Sequence, residues 1–260
     1  EFSTNKIEKV EKRKEFKAKK WMILKEDEKI ESLKKLPKLN NSELFKEVAS
    51  KINKEARKKI EKSETKSFII EFTQFHNKIN RLTGKTGEEG FAPYSVEQYS
   101  YLPNMELALF VGFNERVILL EQVIKVLERI GEMGFGKDAS SGLGRFQVGE
   151  ETEIDLKKIG SASPDAVYGL SPFVPEKETY SHIYFTPFTR YGKHGDILSK
   201  SENPFKNPLI MADEGAIAIP QNKSFFDNCF IGRAIRNLSK CENKTVAQGY
   251  SLFIPVKLEG

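Results

Sequence analysis

Gly131-Glu132-Met133-Gly134-Phe135-Gly136-Lys137-Asp138-Ala139-Ser140-Ser141-Gly142-Leu143-Gly144-Arg145-Phe146 is the stretch on which the fold turns. It nearly fits two phosphate motifs and satisfies neither. Gly131 through Gly136-Lys137 has the spacing of a P-loop, but Asp138 stands where a Ser or Thr must hold Mg²⁺, and an acid there repels nucleotide phosphates. Gly134-x-Gly136-x-x-Ala139 imitates a dinucleotide fingerprint. Both motifs need a strand before the glycines and a helix after them. Here the order is reversed. Val117, Leu120, Val123, Ile124, Leu127 and Ile130 recur at helical spacing and predict a helix over Arg116–Ile130, while Arg145–Val148 reads as a strand.

The composition of the loop allows something else. Its glycines remove side-chain bulk, so a ligand backbone can approach the peptide N–H groups. Lys137 and Arg145 supply positive charge, and Ser140 and Ser141 supply hydroxyl donors. Such a surface suits a sugar–phosphate chain held by contact and not by base identity. A plain structural turn packing helix to sheet is the other reading of the same residues.

Outward from the loop, Lys66–Phe75 alternates and is rich in β-formers, with Phe68, Ile70 and Phe72 on one face and Ile69 and Thr73 on the other. Asn77–Asn104, with three glycines and two prolines, is too long for a hairpin loop and is expected to be a functional excursion. Met105–Phe113 reads as a second strand. The order strand, excursion, strand, helix, glycine loop, strand is half of a ferredoxin-like α+β unit, with Phe68, Ile70, Phe72, Leu107, Leu109, Val123, Leu127 and Phe146 as its expected common core. From about residue 150 the chain looks β-rich, with strands expected at Ala166–Leu170, Ser181–Phe188, Ala216–Ile219 and Tyr250–Val256.

The first quarter differs in kind. Residues 1–66 carry 21 Lys+Arg against 13 Asp+Glu, so the net charge of +5 belongs entirely to this segment. Residues 5–20 favour a helix that is polar all round, Trp21–Leu24 is a short apolar patch, and Asn41-Ser42-Glu43 opens a helix with Leu44, Phe45, Val48 and Ile52 on one side. The basic stretch, including Lys51–Lys62, is either a solvated helical face or a phosphate-facing segment. With 19 Phe and 8 Tyr in 260 residues there is ample material for a core. No apolar run approaches a membrane span, and with two cysteines in the whole sequence a reducing cytoplasm is the expected compartment. Cys229 and Cys241 cannot make a zinc site, and His76, His182 and His194 are scattered. No cofactor is implied: Asp213-Glu214 has no His or Cys company and reads as a solvated turn.

The glycine stretch, with Ile130-Gly131 ending the helix before it, resembles the glycine-rich loop of the RAMP superfamily of CRISPR proteins. Asn77-Lys78-Ile79-Asn80-Arg81-Leu82-Thr83-Gly84 resembles the segment before the RAMP thumb, on which Phe91-Ala92-Pro93-Tyr94-Ser95 would sit. Leu170-Ser171-Pro172-Phe173, Thr189-Arg190-Tyr191-Gly192-Lys193, Pro204-Phe205-Lys206-Asn207-Pro208 and Gly249-Tyr250-Ser251-Leu252-Phe253 together are similar to the fourth subunit of type III-A (Csm) effector complexes. The similarity covers residues 66–260, which it makes one ferredoxin-like domain with a thumb insertion at about 77–104, preceded by a basic, mainly helical segment 1–65. The family's opening strand and helix are not found before residue 66, so an amino-terminal half-domain is expected to be missing.

The resemblance implies a subunit without catalytic residues that holds the 5′ tag of the crRNA. It implies contacts with a backbone RAMP subunit and with the large polymerase-like subunit, and a thumb close to the duplex with target RNA. The expected RNA-binding residues are Gly134, Gly136, Lys137, Ser140, Ser141, Gly142, Gly144 and Arg145 on the loop, and Asn77, Lys78 and Arg81 before the thumb. Two rivals stand beside it. RAMP relatives that cleave crRNA precursors use a His, for which His76 beside Lys78 and Arg81 is the candidate. A purely structural bridge touching no RNA is the other.

Overall fold

The computed structural model of the protein describes residues 14–15, 18–23, 29–35, 38–62, 66–87, 90–101, 105–136 and 138–258. The expected polar helix over 5–20 lies largely outside them. Helices and antiparallel sheets are mixed along the chain, which divides into two compact units. The first comprises residues 1–26 and 37–109, and the second residues 27–36 and 110–260.

In the first unit, local capping starts the helices. Asn40 accepts the Glu43 N–H at 2.9 Å while the Glu43 carboxylate accepts the Asn40 N–H at 2.8 Å, a reciprocal box that opens the helix Asn41–Val48. Asn53 does the same work for Lys54–Lys62, accepting the Ala56 N–H at 2.7 Å. Ala56 and Ile60, one turn apart, are buried with Phe68, and Leu44, Phe45, Val48, Ile52 and Ile70 pack around them. The Trp21 ring meets Phe68 edge-on at 6.0 Å, and its Nε1–H donates to Asn41 Oδ1 at 2.6 Å. Trp21–Met22 (β1) pairs with Lys38–Leu39 (β2). Ile69–His76 (β3) and Tyr94–Tyr101 (β4) form an antiparallel ribbon in continuous register from Ile69↔Tyr101 to His76↔Tyr94. The expected excursion Asn77–Asn104 therefore takes in β4, and only its described residues before Tyr94 lie outside a strand.

The second unit contains Ala166–Gly169 (β5), Tyr180–Tyr184 (β6), Pro187–Arg190 (β7), Leu209–Ala212 (β8), Ile217–Pro220 (β9), Phe230–Gly232 (β10) and Tyr250–Val256 (β11). Five of these make an antiparallel sheet in the order β10-β11-β5-β9-β6, and β7 pairs with β8 separately. Val167, Phe173, Ala212, Ala216, Ala218, Ile231 and Phe253 form the core beneath it. Pro255 lies opposite Val167 within β11. Its carbonyl accepts the Ser161 N–H at 2.8 Å, so the side on which proline lacks a donor faces Ser161 and not β5.

Three expectations are corrected. Met105–Phe113 and Arg145–Val148 join no ladder among the described residues, because alternation fits a chain for a sheet face without supplying the neighbour whose N–H and C=O groups complete it. The helix runs Leu120–Met133 instead of Arg116–Ile130, since Asn114 first holds a turn: its side chain accepts the Arg116 N–H at 3.0 Å and its carbonyl the Val117 N–H at 2.8 Å. The third concerns the expected core: Phe72, Leu107, Leu109 and Phe146 are exposed and only Gly131 of the long helix is buried, because Met105–Phe113 and Arg145–Val148 make no sheet face among the described residues.

Candidate nucleic-acid interface

The glycine loop closes on itself through its backbone. The Gly134 N–H caps the helix on Ile130 O at 2.7 Å, Phe135 N–H donates to Gly144 O at 2.9 Å, and Phe146 N–H donates to Gly131 O at 3.2 Å. Between these rungs, Ala139–Ser141 makes one tight helical turn closed by Gly142 N–H on Ala139 O at 2.9 Å. Gly134, Gly136, Gly142 and Gly144 all have positive φ, which a side chain disfavours.

The glycines then divide by what surrounds them. A Cβ at residue 134 would collide with the Leu143 carbonyl, and one at residue 144 with the Phe135 carbonyl, so these two glycines let the loop strands meet. Gly136 and Gly142 look into open space. The N–H groups of Gly136, Gly144 and Arg145 have no acceptor among the described residues. Peptide donors free on a glycine turn, followed by an exposed Arg145 guanidinium, are the elements of an anion-binding concavity. Ser141 is exposed on the same turn. Ser140 is described in its backbone, and Lys137 lies outside the described residues.

Asn77, Lys78 and Arg81 are exposed and belong to the first unit, whereas the loop belongs to the second. They leave the end of the β3–β4 ribbon, where Asn80 organises a turn by accepting the Leu82 N–H on its side chain at 2.9 Å and the Gly84 N–H on its carbonyl at 2.8 Å. His76 and Tyr94 stack across the ribbon at 5.3 Å and 16°, and Lys78 Nζ sits 5.9 Å from the Tyr94 ring centre. The resemblance put Tyr94 on an expected thumb but gave no hint of this stack, which depends on the register.

A second cluster escaped the sequence altogether, because its members are far apart along the chain. Buried His194 places Nε2 2.8 Å from Ser239 Oγ, which lies 3.4 Å from the exposed Cys241 Sγ. Ser239 Oγ also accepts the N–H groups of Cys241 at 3.2 Å and Glu242 at 2.9 Å. Accepting from these two peptide donors, the hydroxyl staples the turn at Ser239. Hydrogen bonds from Ser239 first and Ser201 next hold the Cys241 thiol below its ordinary pKa. Among the described residues no three His, Cys, Asp or Glu side chains come together as metal ligands, and no helix is long and apolar enough to cross a membrane.

No protein-family model matches the chain, and no curated protein matches it.

Proposed function

We propose that the chain is an RNA-binding subunit of ferredoxin-like RAMP fold, without a catalytic centre, that grips the 5′ tag of a crRNA in a type III-A CRISPR effector complex. In this reading it joins a backbone RAMP subunit to the large polymerase-like subunit in the cytoplasm, and the thumb at about 77–104 lies near the duplex with target RNA. The observation that carries the proposal is the loop: peptide donors at Gly136, Gly144 and Arg145 without an acceptor among the described residues, beside an exposed guanidinium. Phosphates satisfy both kinds of donor at once, and they do so without regard to base. The order of motifs along residues 66–260 supplies the RAMP assignment. For the endoribonuclease alternative, the only residue in place is His76, whose ring faces Tyr94 in a stack.

The test is a salt titration of binding to a labelled tag RNA. Arg145→Ala should weaken binding to every sequence alike and flatten the slope of log K against log salt by about 0.7, one phosphate contact to a single strand. Lys137→Ala should do the same. Unchanged affinity and slope in both folded variants would reduce the loop to a structural turn, and cut RNA products would favour the nuclease.

A further inference from the structure

The helix Lys54–Lys62 carries five cations and two acids, and the acids are already used. Arg57 Nε meets Glu61 Oε1 at 2.9 Å, and Lys59 Nζ meets Glu55 Oε1 at 3.2 Å. Lys54, Lys58 and Lys62 remain, each exposed and without a partner among the described residues. Their spacing of four residues puts them in an arc about 80° wide, on the side of the helix opposite the buried Ala56 and Ile60. The two ion pairs flank this arc on either side. Lys51, also exposed, precedes it in the turn.

Local physics asks for only one end of this stripe. Lys62 lies in the last turn, where the dipole favours a cation, but Lys54 occupies the first position, where it disfavours one, and lysines four apart repel one another. A sequence that breaks a local rule without a packing gain points to a partner. The partner must be a line of negative charge, because the lysines step along the helix by roughly 6 Å, within reach of successive phosphates for such flexible arms. An anionic membrane surface fits less well: a helix lying on lipid inserts its apolar face, and here that face is packed against Phe68 in the unit's own core.

We infer that the outer face of this helix is a second nucleic-acid contact, in which Lys54, Lys58 and Lys62 bind consecutive backbone phosphates of a strand without reading its bases. It is a separate surface from the glycine loop and does not depend on the loop binding RNA.

The experiment compares the full chain with the triple variant Lys54→Gln, Lys58→Gln, Lys62→Gln against a labelled single-stranded RNA of mixed sequence across a salt series. Glutamine is nearly as good a helix former as lysine, and the positions face solvent, so the circular dichroism should not change. The expected result is a slope of log K against log salt flattened by about 2, three contacts at 0.7 each, with affinity reduced for all sequences. Lys58→Gln alone should flatten it by about 0.7. A triple variant with the parent's slope, in a chain whose slope does fall on Arg145→Ala, overturns this inference and leaves the loop reading intact. The reverse pattern overturns the loop reading alone. Loss of binding to phosphatidylserine vesicles with an unchanged RNA slope would assign the stripe to a membrane and likewise overturn it.

Discussion

Gly131 and Phe146 are locked face to face at the neck of the glycine loop. The Phe146 N–H donates to the Gly131 carbonyl at 3.2 Å, and the Phe146 carbonyl occupies the place a Cβ on residue 131 would need. The last turn of the helix and the exit from the loop can approach this closely only with glycine at 131. Gly131→Ala should lower unfolding free energy by roughly 1–3 kcal/mol, since a backbone atom and not a flexible side chain must move, and Gly144→Ala by more, because its left-handed backbone adds about 1–2 kcal/mol to the same kind of clash. Gly142→Ala meets open space and bears only the left-handed backbone term, about 1–2 kcal/mol. Urea denaturation of the three variants reads the difference, and an equal loss in all of them would mean the neck is not close-packed.

Phe173 is fully buried among Val167, Ala212, Ile231 and their neighbours, whereas Phe72 on the ribbon is 44% exposed. Phe173→Ala should therefore cost about 3–5 kcal/mol through lost transfer energy and a cavity, and Phe72→Ala well under half of that. Chemical denaturation followed by fluorescence would check the order; the reverse order would put the core elsewhere.

Alkaline pH should expose two tyrosines. Burial, then the nearby Glu214, raises the Tyr168 hydroxyl above the ordinary phenol value, and burial likewise raises Tyr180. Their folded-state pKa values exceed the unfolded ones, so their contribution is complete below about pH 10 and is lost as pH rises through the folded values. A melting midpoint that falls above pH 10 in the parent should fall less in Tyr168→Phe with Tyr180→Phe. An identical decline would show that other groups govern alkaline unfolding.

Cys241 should alkylate with iodoacetamide at neutral pH as a thiol stabilised in its anionic form by hydroxyl donors. Ser239→Ala removes the leading donor and should slow that reaction severalfold while leaving Cys229 at its parental rate. Peptide mass mapping over time distinguishes the two sites, and an unaffected Cys241 rate would remove Ser239 from the account.

Legibility in the sequence followed the range of the forces involved. The strand Tyr250–Val256 carries the bounds its residues suggested, and the helix at Asn41 begins where a cap and its glutamate announce it, because both signals are local. The long helix was visible in its apolar spacing, but the Asn114 side chain stops the chain short of the first residues that fit the pattern. Met105–Phe113 shows the limit of periodicity: it has the alternation of a strand and no ladder among the described residues. Within the loop, composition gave the glycines as a group. Which of them admit neighbouring backbone, and which face open space, is decided by residues nine positions away and could not be read from the motif. The meeting of His194 with Ser239 across 45 residues left no trace in sequence at all.

Pro255 governs how the main sheet ends. Beyond the three pairs Phe230↔Leu252, Ile231↔Ser251 and Gly232↔Tyr250 that β10 makes, the outer side of β11 has no further strand beside it among the described residues until Lys257 bridges to Ser32. Such a flank is where stray chains add themselves to a sheet and begin to aggregate. At that point the chain carries the one residue with no donor to offer, and its carbonyl is already taken by Ser161. Gly160, whose missing Cβ would strike that same carbonyl, lets the covering segment lie flat against it. The proline thus leaves the covering segment a single hydrogen bond to make at this point, and Glu31 and Leu33, which bond the two peptide groups of Lys257 at 3.2 and 3.0 Å, close the flank just beyond it.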